Sequence, residues 1–528
     1  MKTYKLFIAA AVALVSLGSC SNFLSTDLTS QKTSDSYYKT PSDAYTALVG
    51  CYNGLDVIWN SGYAFPIASE VFSDNCFGGT GASDSHDYDI LDQFNASLAP
   101  AYTSLFENNW TAYYQAIYRC NTLLSKLDQV TWGSSSSLKT QYEAEAKFLR
   151  AYFYFDLARL FEKVPLLTTP TSDNVPQSDP AATYAQIMND LRFAITNMPA
   201  TAYSSSSTTA GRATKWAAEA LLARVYLFYS GYYGATSIGG ETQATALAAV
   251  EDVISNSGHG LISDFTTLWP AASTAKGVTY AGEDNKEVVF AIKYTGNGDY
   301  NGNITGNTWL IMTGMREQSI YPYGYGWGAC TIDKKLVAQF DTVKDSRFFA
   351  SIISISGEKL AFTKAANQRE YTGYYMKKYS PQCDNTNTTI PTTNYSIAQG
   401  QDYYSIRYSD VLLMAAELGS SKAATYYNLV HQRAIPTATA VSTVSKSDIL
   451  TERRLEFVGE GIRYWDLLRQ GLSTAASTIA NNTTLGTAYG SPSASTIISN
   501  ITTTRGFQQI PLTEITLSGG VLKQNTGW

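Results

Sequence analysis

Apolar residues recur at helical spacing along most of the chain. In residues 143–161, Leu149, Phe153, Leu157 and Leu160 fall on one stripe. In residues 215–229, Ala217, Leu221, Val225 and Phe228 repeat the same rhythm of +4, +4, +3. A stripe of that period is the buried face of an amphipathic helix. The same reading predicts helices over 41–55, 109–127, 183–197, 245–255, 408–418 and 447–469. Pro41 opens the first of these, where a proline costs no hydrogen bond. Alanine pairs such as Ala217-Ala218 and Ala415-Ala416 let helix axes approach closely, which favours stacked helical hairpins of the tetratricopeptide kind, although the strict repeat signature is absent.

The middle of the chain breaks this rhythm. EVVFAIKY (287–294) alternates as a short strand does. Residues 295–329 are rich in Gly, Asn and Tyr, and 380–399 form a second polar stretch; long loops inside a compact unit usually carry function. The Ser-rich runs 134–137 and 204–209 predict connectors. The expected fold class is therefore mostly α, a helix-pair scaffold with a loop-rich ligand-binding region around 280–400 that carries short strands.

Composition narrows the function. The chain has 528 residues, enough for two domains or one large one, and a net charge of only −6, which gives no basic surface for nucleic acid. Its 38 Tyr supply flat rings with one hydroxyl each, suited to meeting polar ligands. Lys2 and Lys5 precede an apolar run from Leu6 to Leu17, too short for a stable membrane span, and the run ends in Leu17-Gly18-Ser19-Cys20. That pattern is similar to a bacterial lipobox. It predicts a signal peptide over 1–19, a mature chain over 20–528 and a lipid on Cys20. Cys51, Cys76, Cys120, Cys330 and Cys383 remain, an odd number without a CxxC or zinc spacing. Cys51 and Cys120 lie in apolar helical surroundings and are expected to be buried thiols.

Catalytic constellations are weak. His86, His259 and His431 stand apart, no HExxH or GxSxG motif occurs, and Gly324, Gly326 and Ala329 match G-x-G-x-x-A without a βαβ setting. Glu452, Glu456 and Glu460 stack every four residues among Arg453, Arg454, Arg463, Asp466 and Arg469, the composition of an ion-pair network rather than of an acid/base pair. Asp84, Asp87, Asp89 and Asp92 could hold calcium, but the glycine and terminal Glu of an EF-hand are missing, and a solvated acidic loop accounts for them. Neither enzymatic activity nor a cofactor is expected.

Several blocks, in order, resemble the SusD/RagB family of outer-membrane nutrient-binding lipoproteins. They are CSNFL (20–24), WTAYYQAIYRCN (110–121), AEAKFLRAYFYFDLARLFEKVPLL (144–167), ATKWAAEALLARVYLF (213–228), IRYSDVLLMAAEL (406–418), ERRLEFVGEGIRYWDLLRQG (452–471) and IPLTEITLSGGVLKQNTGW (510–528). The resemblance implies a single unit with four tetratricopeptide-like helix pairs. It implies a lipid-anchored protein of the outer membrane facing the cell surface, and a partner, a SusC-like TonB-dependent transporter. Three departures stand out. The residues after Cys20 are less acidic than the family's surface-export signal, with Asp27 the first acid. Asp410 stands where the family often has Glu. Gly459-Glu460-Gly461 stands where the family often has Phe-Glu-Gly, which puts helix continuity there in question.

The function expected is capture of oligosaccharides for polysaccharide utilisation. The alternative is a RagB-type lid that binds peptides, and a surface glycosidase is a third class that the absence of a carboxylate pair in an aromatic setting disfavours. Sugars lay C–H faces on flat rings and need polar partners for their hydroxyls. Trp309, Tyr321, Tyr323, Tyr325 and Trp327 are the leading ligand-binding candidates, with Tyr300, Asp74, Asn75, Phe77 and Tyr88 as further lining residues. If Tyr321-Pro-Tyr-Gly-Tyr-Gly-Trp327 is extended, its four rings share one side.

Overall fold

The computed structural model describes residues 37–60, 65–81, 83–84, 87–94, 106–205, 211–301, 305–481 and 492–528. Within them the sequence stripes become helix pairs. α1 (Pro41–Asn60) packs on α2 (Glu107–Lys126), α3 (Ser136–Phe161) on α4 (Pro180–Asn197), α5 (Lys215–Tyr233) on α6 (Gln243–Asn256), and α7 (Tyr408–Glu417) on α8 (Ala423–Ala434). Successive pairs stack through α4 on α5 and α6 on α7, which is the tetratricopeptide-like arrangement. α3 is the central helix: every residue from Phe148 to Phe161 is buried. Each of its large apolar side chains contributes about 1.5–3 kcal/mol of transfer free energy. Its buried charges are matched, Arg150 by two bonds to Asp190 at 2.8 and 2.7 Å and Asp156 by Arg159 and the Tyr113 hydroxyl.

Local chemistry sets the helix ends. The Asp179 carboxylate accepts from the Ala181 N–H just before Pro180, and α5 stops at Gly234 in the left-handed region at φ +67°. The run 134–137 is not a connector: Gly133–Ser135 forms a 3₁₀ turn that leads into α3 at Ser136. Of the run 204–209, residues 206–209 lie outside the described residues.

The helix expected over 447–469 is two helices, α9 (Lys446–Glu456) and α10 (Arg463–Leu468). Gly459 (φ +79°) and Gly461 (φ +72°) turn the backbone between them. The turn carries Glu460 back onto buried Arg407, whose guanidinium also meets Glu287 and Glu456 at 2.6–2.8 Å. Lys378 adds a bond to Glu460 at 2.6 Å, Arg433 bonds Glu287 and Glu456 at 3.0 and 2.6 Å, and Arg347 bonds Asp345 and Glu452. An ion-pair network is present, as the charge pattern predicted, but its bases are Arg347, Lys378, Arg407 and Arg433 from elsewhere in the chain; Arg453 pairs instead with Asp410 and Asp466, and Arg454 and Arg463 with Asp74.

Strands close the remaining face. β1 (Cys76–Gly78), β3 (Cys330–Ile332), β5 (Tyr374–Met376) and β4 (Ile352–Ser354) form an antiparallel sheet in the order β1-β3-β5-β4. β2 (Val288–Ile292), the strand expected over 287–294, pairs with β6 (Tyr403–Arg407) through a bulge near Ile406.

Burial leaves several carboxyls far from their ordinary range. It lifts Glu70, Glu283 and Asp56 to about 7, and Glu219 to about 8. These acids bind protons more tightly folded than unfolded. Between the unfolded value near 4.5 and pH 7–8, unfolding therefore releases protons and stability falls as pH rises. His259, lowered by burial, opposes this with one group. In Asp466 and Asp410 burial is outweighed by Arg453 and its neighbours, so both stay well below the usual range and their stabilisation is lost in acid. The melting temperature is thus expected to peak at about pH 5 and to be lower at pH 8. A thermal melt series over that range checks it; a steady rise from pH 5 to pH 8 contradicts it.

Candidate functional site

The Tyr-rich segment is stapled to the protein along both edges. On one edge Gly326 N–H donates to Met315 O, Glu317 N–H to Gly326 O, Trp327 N–H to Ile311 O and Ala329 N–H to Met312 O, all at 2.7–2.8 Å. On the other, Gly324 N–H donates to Pro381 O, Cys383 N–H to Pro322 O, and Tyr325 N–H to the Thr389 hydroxyl. The glycines permit this approach. A Cβ on Gly324 would stand 2.5 Å from Gln382 O, and one on Gly326 only 2.3 Å from the Gly314 backbone.

From Gly324 to Gly328 exposure alternates with period two, so Tyr325 and Trp327 share the outer face about 6–7 Å apart. Trp327 is 42% exposed. Tyr325 is half-buried and meets Tyr395 edge-on with ring centroids 5.7 Å apart. Tyr300, 71% exposed, shares a hydrogen bond with the Ser396 hydroxyl at 2.7 Å, which brings it beside Tyr395.

Polar groups border these rings. Arg316 is buried beneath them. It bonds Asp84 at 2.7 Å, Glu317 at 2.8 Å and the Trp327 carbonyl at 3.1 Å. Residues 79–81 are held against Gly328 and Ala329 by backbone bonds at 2.8 and 2.9 Å, and by the Arg369 guanidinium on Thr80 and Gly81. Burial raises the Tyr325 hydroxyl, with Tyr395, Glu317 and Asp84 adding to the effect, so these groups lie within electrostatic reach of the ring. Rings for C–H faces, next to fixed acceptors and a guanidinium, form a surface able to hold a polyhydroxylated ligand.

The four rings do not share one side as the extended reading required. Ile320 and Tyr323 exchange two backbone hydrogen bonds at 2.8 Å, and this tight turn resets the alternation. Tyr321, 48% exposed, stands at its tip, its N–H on the Asn387 side chain. Tyr323 is fully buried and donates to Glu358. Trp309 is also buried, stacked on Tyr379 at 4.3 Å. The remaining lining residues are structural for the same reason. Asp74 is locked by Arg463 and Arg454, which hold its carboxyl below the usual range despite burial. Asn75 bonds Glu70 and Arg454, Phe77 is buried in β1, and Tyr88 turns its hydroxyl to the Met312 sulfur. Residues missed from sequence are Tyr395, Ser396, Arg316 and Glu317, together with Asp84, which gather around the exposed rings. Asp87–Gln93 is helical rather than a solvated loop, with Asp92 buried. Among the described residues no group of three or more His, Cys, Asp or Glu is gathered as for a metal. Cys20 and residues 1–36 lie outside the described residues.

Apart from the platform, an opening of about 640 Å³ lies on the scaffold between α2, residues 165–175 and the C-terminal helix Leu512–Leu517. Tyr118 and Leu517 are its exposed rim.

The architecture is a tetratricopeptide-like scaffold bearing a ring-lined loop platform, and comparison with known proteins places it. A model described as "Starch-binding associating with outer membrane" matches residues 56–227, and the "SusD family" model matches 286–528. The chain belongs to the SusD/RagB family. A SusD-like protein of Bacteroides ovatus is 25% identical over 483 residues, 88% of this chain and 82% of its own. SusD-like protein P2 of Formosa agariphila is 26% identical over 505 residues, 89% and 91% of the two chains. Among solved structures, a laminarin-binding SusD-like protein aligns at TM-score 0.74 with 27% identity, over 93% of this chain and 100% of its own. Surface glycan-binding protein A of Bacteroides thetaiotaomicron, in complex with laminarihexaose, aligns at 0.73 with 25% identity, over 92% and 100%.

Proposed function

We propose that this protein is a lipid-anchored, outer-membrane glycan-binding protein that captures oligosaccharides and passes them to a SusC-like TonB-dependent transporter. The observation that carries the reading is the outward-facing pair Tyr325 and Trp327, flanked by Tyr300 and Tyr395 and bordered by Arg316, Asp84 and Glu317. The relatives described as binding laminarin and laminarihexaose support a sugar over a peptide. The protein acts by binding, without turnover. Calorimetric titration with laminarihexaose, a wider glycan panel and a peptide mixture separates the readings. Heat from a glycan alone is expected. Heat from peptides alone supports a RagB-type lid, and release of shorter sugars would make it an enzyme.

Two further results are expected. Metabolic labelling with a fatty-acid probe should mark the wild-type protein and leave Cys20→Ala unlabelled; equal label in both contradicts the anchor. Affinity purification from the native membrane in mild detergent should recover a TonB-dependent barrel. Clean isolation as a monomer contradicts the partnership.

A further inference from the structure

Beyond Cys20, the sequence leaves five cysteines that no spacing rule pairs. All five are buried free thiols in the structure, and the fold brings four of them together as two neighbouring couples. α1 and α2 run antiparallel and come closest where a Cβ on Gly54 would stand 2.7 Å from the Ala116 Cβ. One turn before Gly54 on α1 is Cys51, and one turn after Ala116 on α2 is Cys120. Antiparallel packing sets those positions face to face. Both are fully buried, and Cys51 adds to the burial that raises the Cys120 thiol, which sets the two side chains beside each other.

Cys76 and Cys330 stand on the neighbouring strands β1 and β3. The register is Cys76 opposite Ile332 and Gly78 opposite Cys330. Cys76 and Gly78 share a face, so Cys330 points to that face too, and Gly78 puts no side chain between the sulfurs. Cys330 adds to the burial that raises the Cys76 thiol, in keeping with side chains that lie beside each other. Cys383 sits apart, its thiol on the Tyr323 carbonyl at 3.1 Å.

We propose that in the exported protein Cys51 is joined to Cys120 and Cys76 to Cys330 as disulfides, with Cys383 left reduced. The inference rests on the export reading, since disulfides persist in the bacterial envelope and not in the cytosol. The oxidant is a disulfide-bearing thiol oxidase of the envelope. In each pair one thiolate attacks the oxidant's disulfide, giving a mixed disulfide and releasing one thiolate. The second cysteine thiolate then attacks the mixed disulfide and releases the other. Two protein thiols lose two electrons and two protons, and the oxidant leaves as a dithiol. Burial raises the Cys76 and Cys120 thiols well above their ordinary value, so neither is a nucleophile once folded, and the exchange belongs to folding. The first bond fastens α1 to α2. The second clamps the base of the platform, because Cys76 leads into the loop of Asp84 and Cys330 follows Trp327 by three residues.

The full-length protein is recovered from the membranes of cells that produce it, unfolded, alkylated with iodoacetamide without reduction, digested and mapped by mass spectrometry. The same digest shows whether residues 1–19 have been removed, which separates failure of export from failure of pairing. Leader-free protein should give linked peptides 51–120 and 76–330, each two hydrogens lighter than its reduced parts, with alkyl label on Cys383. Cys51→Ala should free Cys120 for alkylation and leave the 76–330 link in place. Alkylation of all five cysteines in leader-free protein overturns the proposal. Protein that retains its leader is refolded in a glutathione redox buffer and mapped in the same way, and absence of both linked peptides there overturns the pairing as well.

Discussion

Replacing Arg407 by methionine is expected to destabilise the fold by about 3–5 kcal/mol, the scale of removing one partner from a buried ion pair. Arg407 is fully buried and its guanidinium is shared by Glu287, Glu456 and Glu460. Without it three carboxylates face one another out of water, served by Arg433 and Lys378 at their edges and by Arg347 at 3.9 Å from Glu456. The turn at Gly459–Gly461 would lose what draws Glu460 inward. Glu456→Gln keeps the shape and should cost less, about 1–3 kcal/mol, since the amide retains part of the hydrogen bonding. Burial alone would raise the Glu456 carboxyl, but Arg433, Arg407 and Arg347 outweigh it and hold the group well below the usual carboxylate range. Urea denaturation followed by circular dichroism measures both variants. A change within about 0.5 kcal/mol for Arg407→Met would mean that the network contributes as little as an ordinary surface substitution. Folded Glu456→Gln protein should bind ligand normally, because the network lies apart from the platform.

Trp327→Ala is expected to weaken glycan binding by about 1–3 kcal/mol, roughly a 5- to 150-fold rise in Kd, the scale of a lost ring platform. The ring is 42% exposed, so its removal leaves no large internal cavity. Its backbone bonds to Ile311 and Arg316 use main-chain atoms and survive the change. The circular dichroism spectrum should stay native. Tyr323→Phe, which removes the hydroxyl that meets Glu358 inside the protein, should alter stability and leave affinity unchanged. Calorimetry with the best glycan of the panel reads all of these. Tyr325→Ala together with Trp327→Ala, with affinity unchanged, would place the site elsewhere.

The helices were legible because their stripes are local. Leu149, Phe153, Leu157 and Leu160 are all buried as read, and so are Ala217, Leu221, Val225 and Phe228. The division of 447–469 was visible in Gly459 and Gly461, but its purpose was not, since Arg407 lies about fifty residues earlier in the chain. The candidate platform was half legible. The alternation found Tyr325 and Trp327. It failed at Tyr323 because nothing in the spacing reveals the two hydrogen bonds that turn the chain at Ile320. Asp74 and Asn75 had the polarity of lining groups, yet Arg454 and Arg463, nearly four hundred residues away, consume them. Arg316 and Tyr395 carry no local signal at all; only the meeting of three loops makes them neighbours of the same rings.

A crystal structure of the protein with the oligosaccharide that gives the strongest heat tests the central claim most directly. A sugar ring stacked on Trp327 and Tyr325, with its hydroxyls toward Arg316, Asp84 or Glu317, is the predicted result. Ligand lodged instead in the scaffold opening beside Tyr118 and Leu517, with the platform bare, would contradict it.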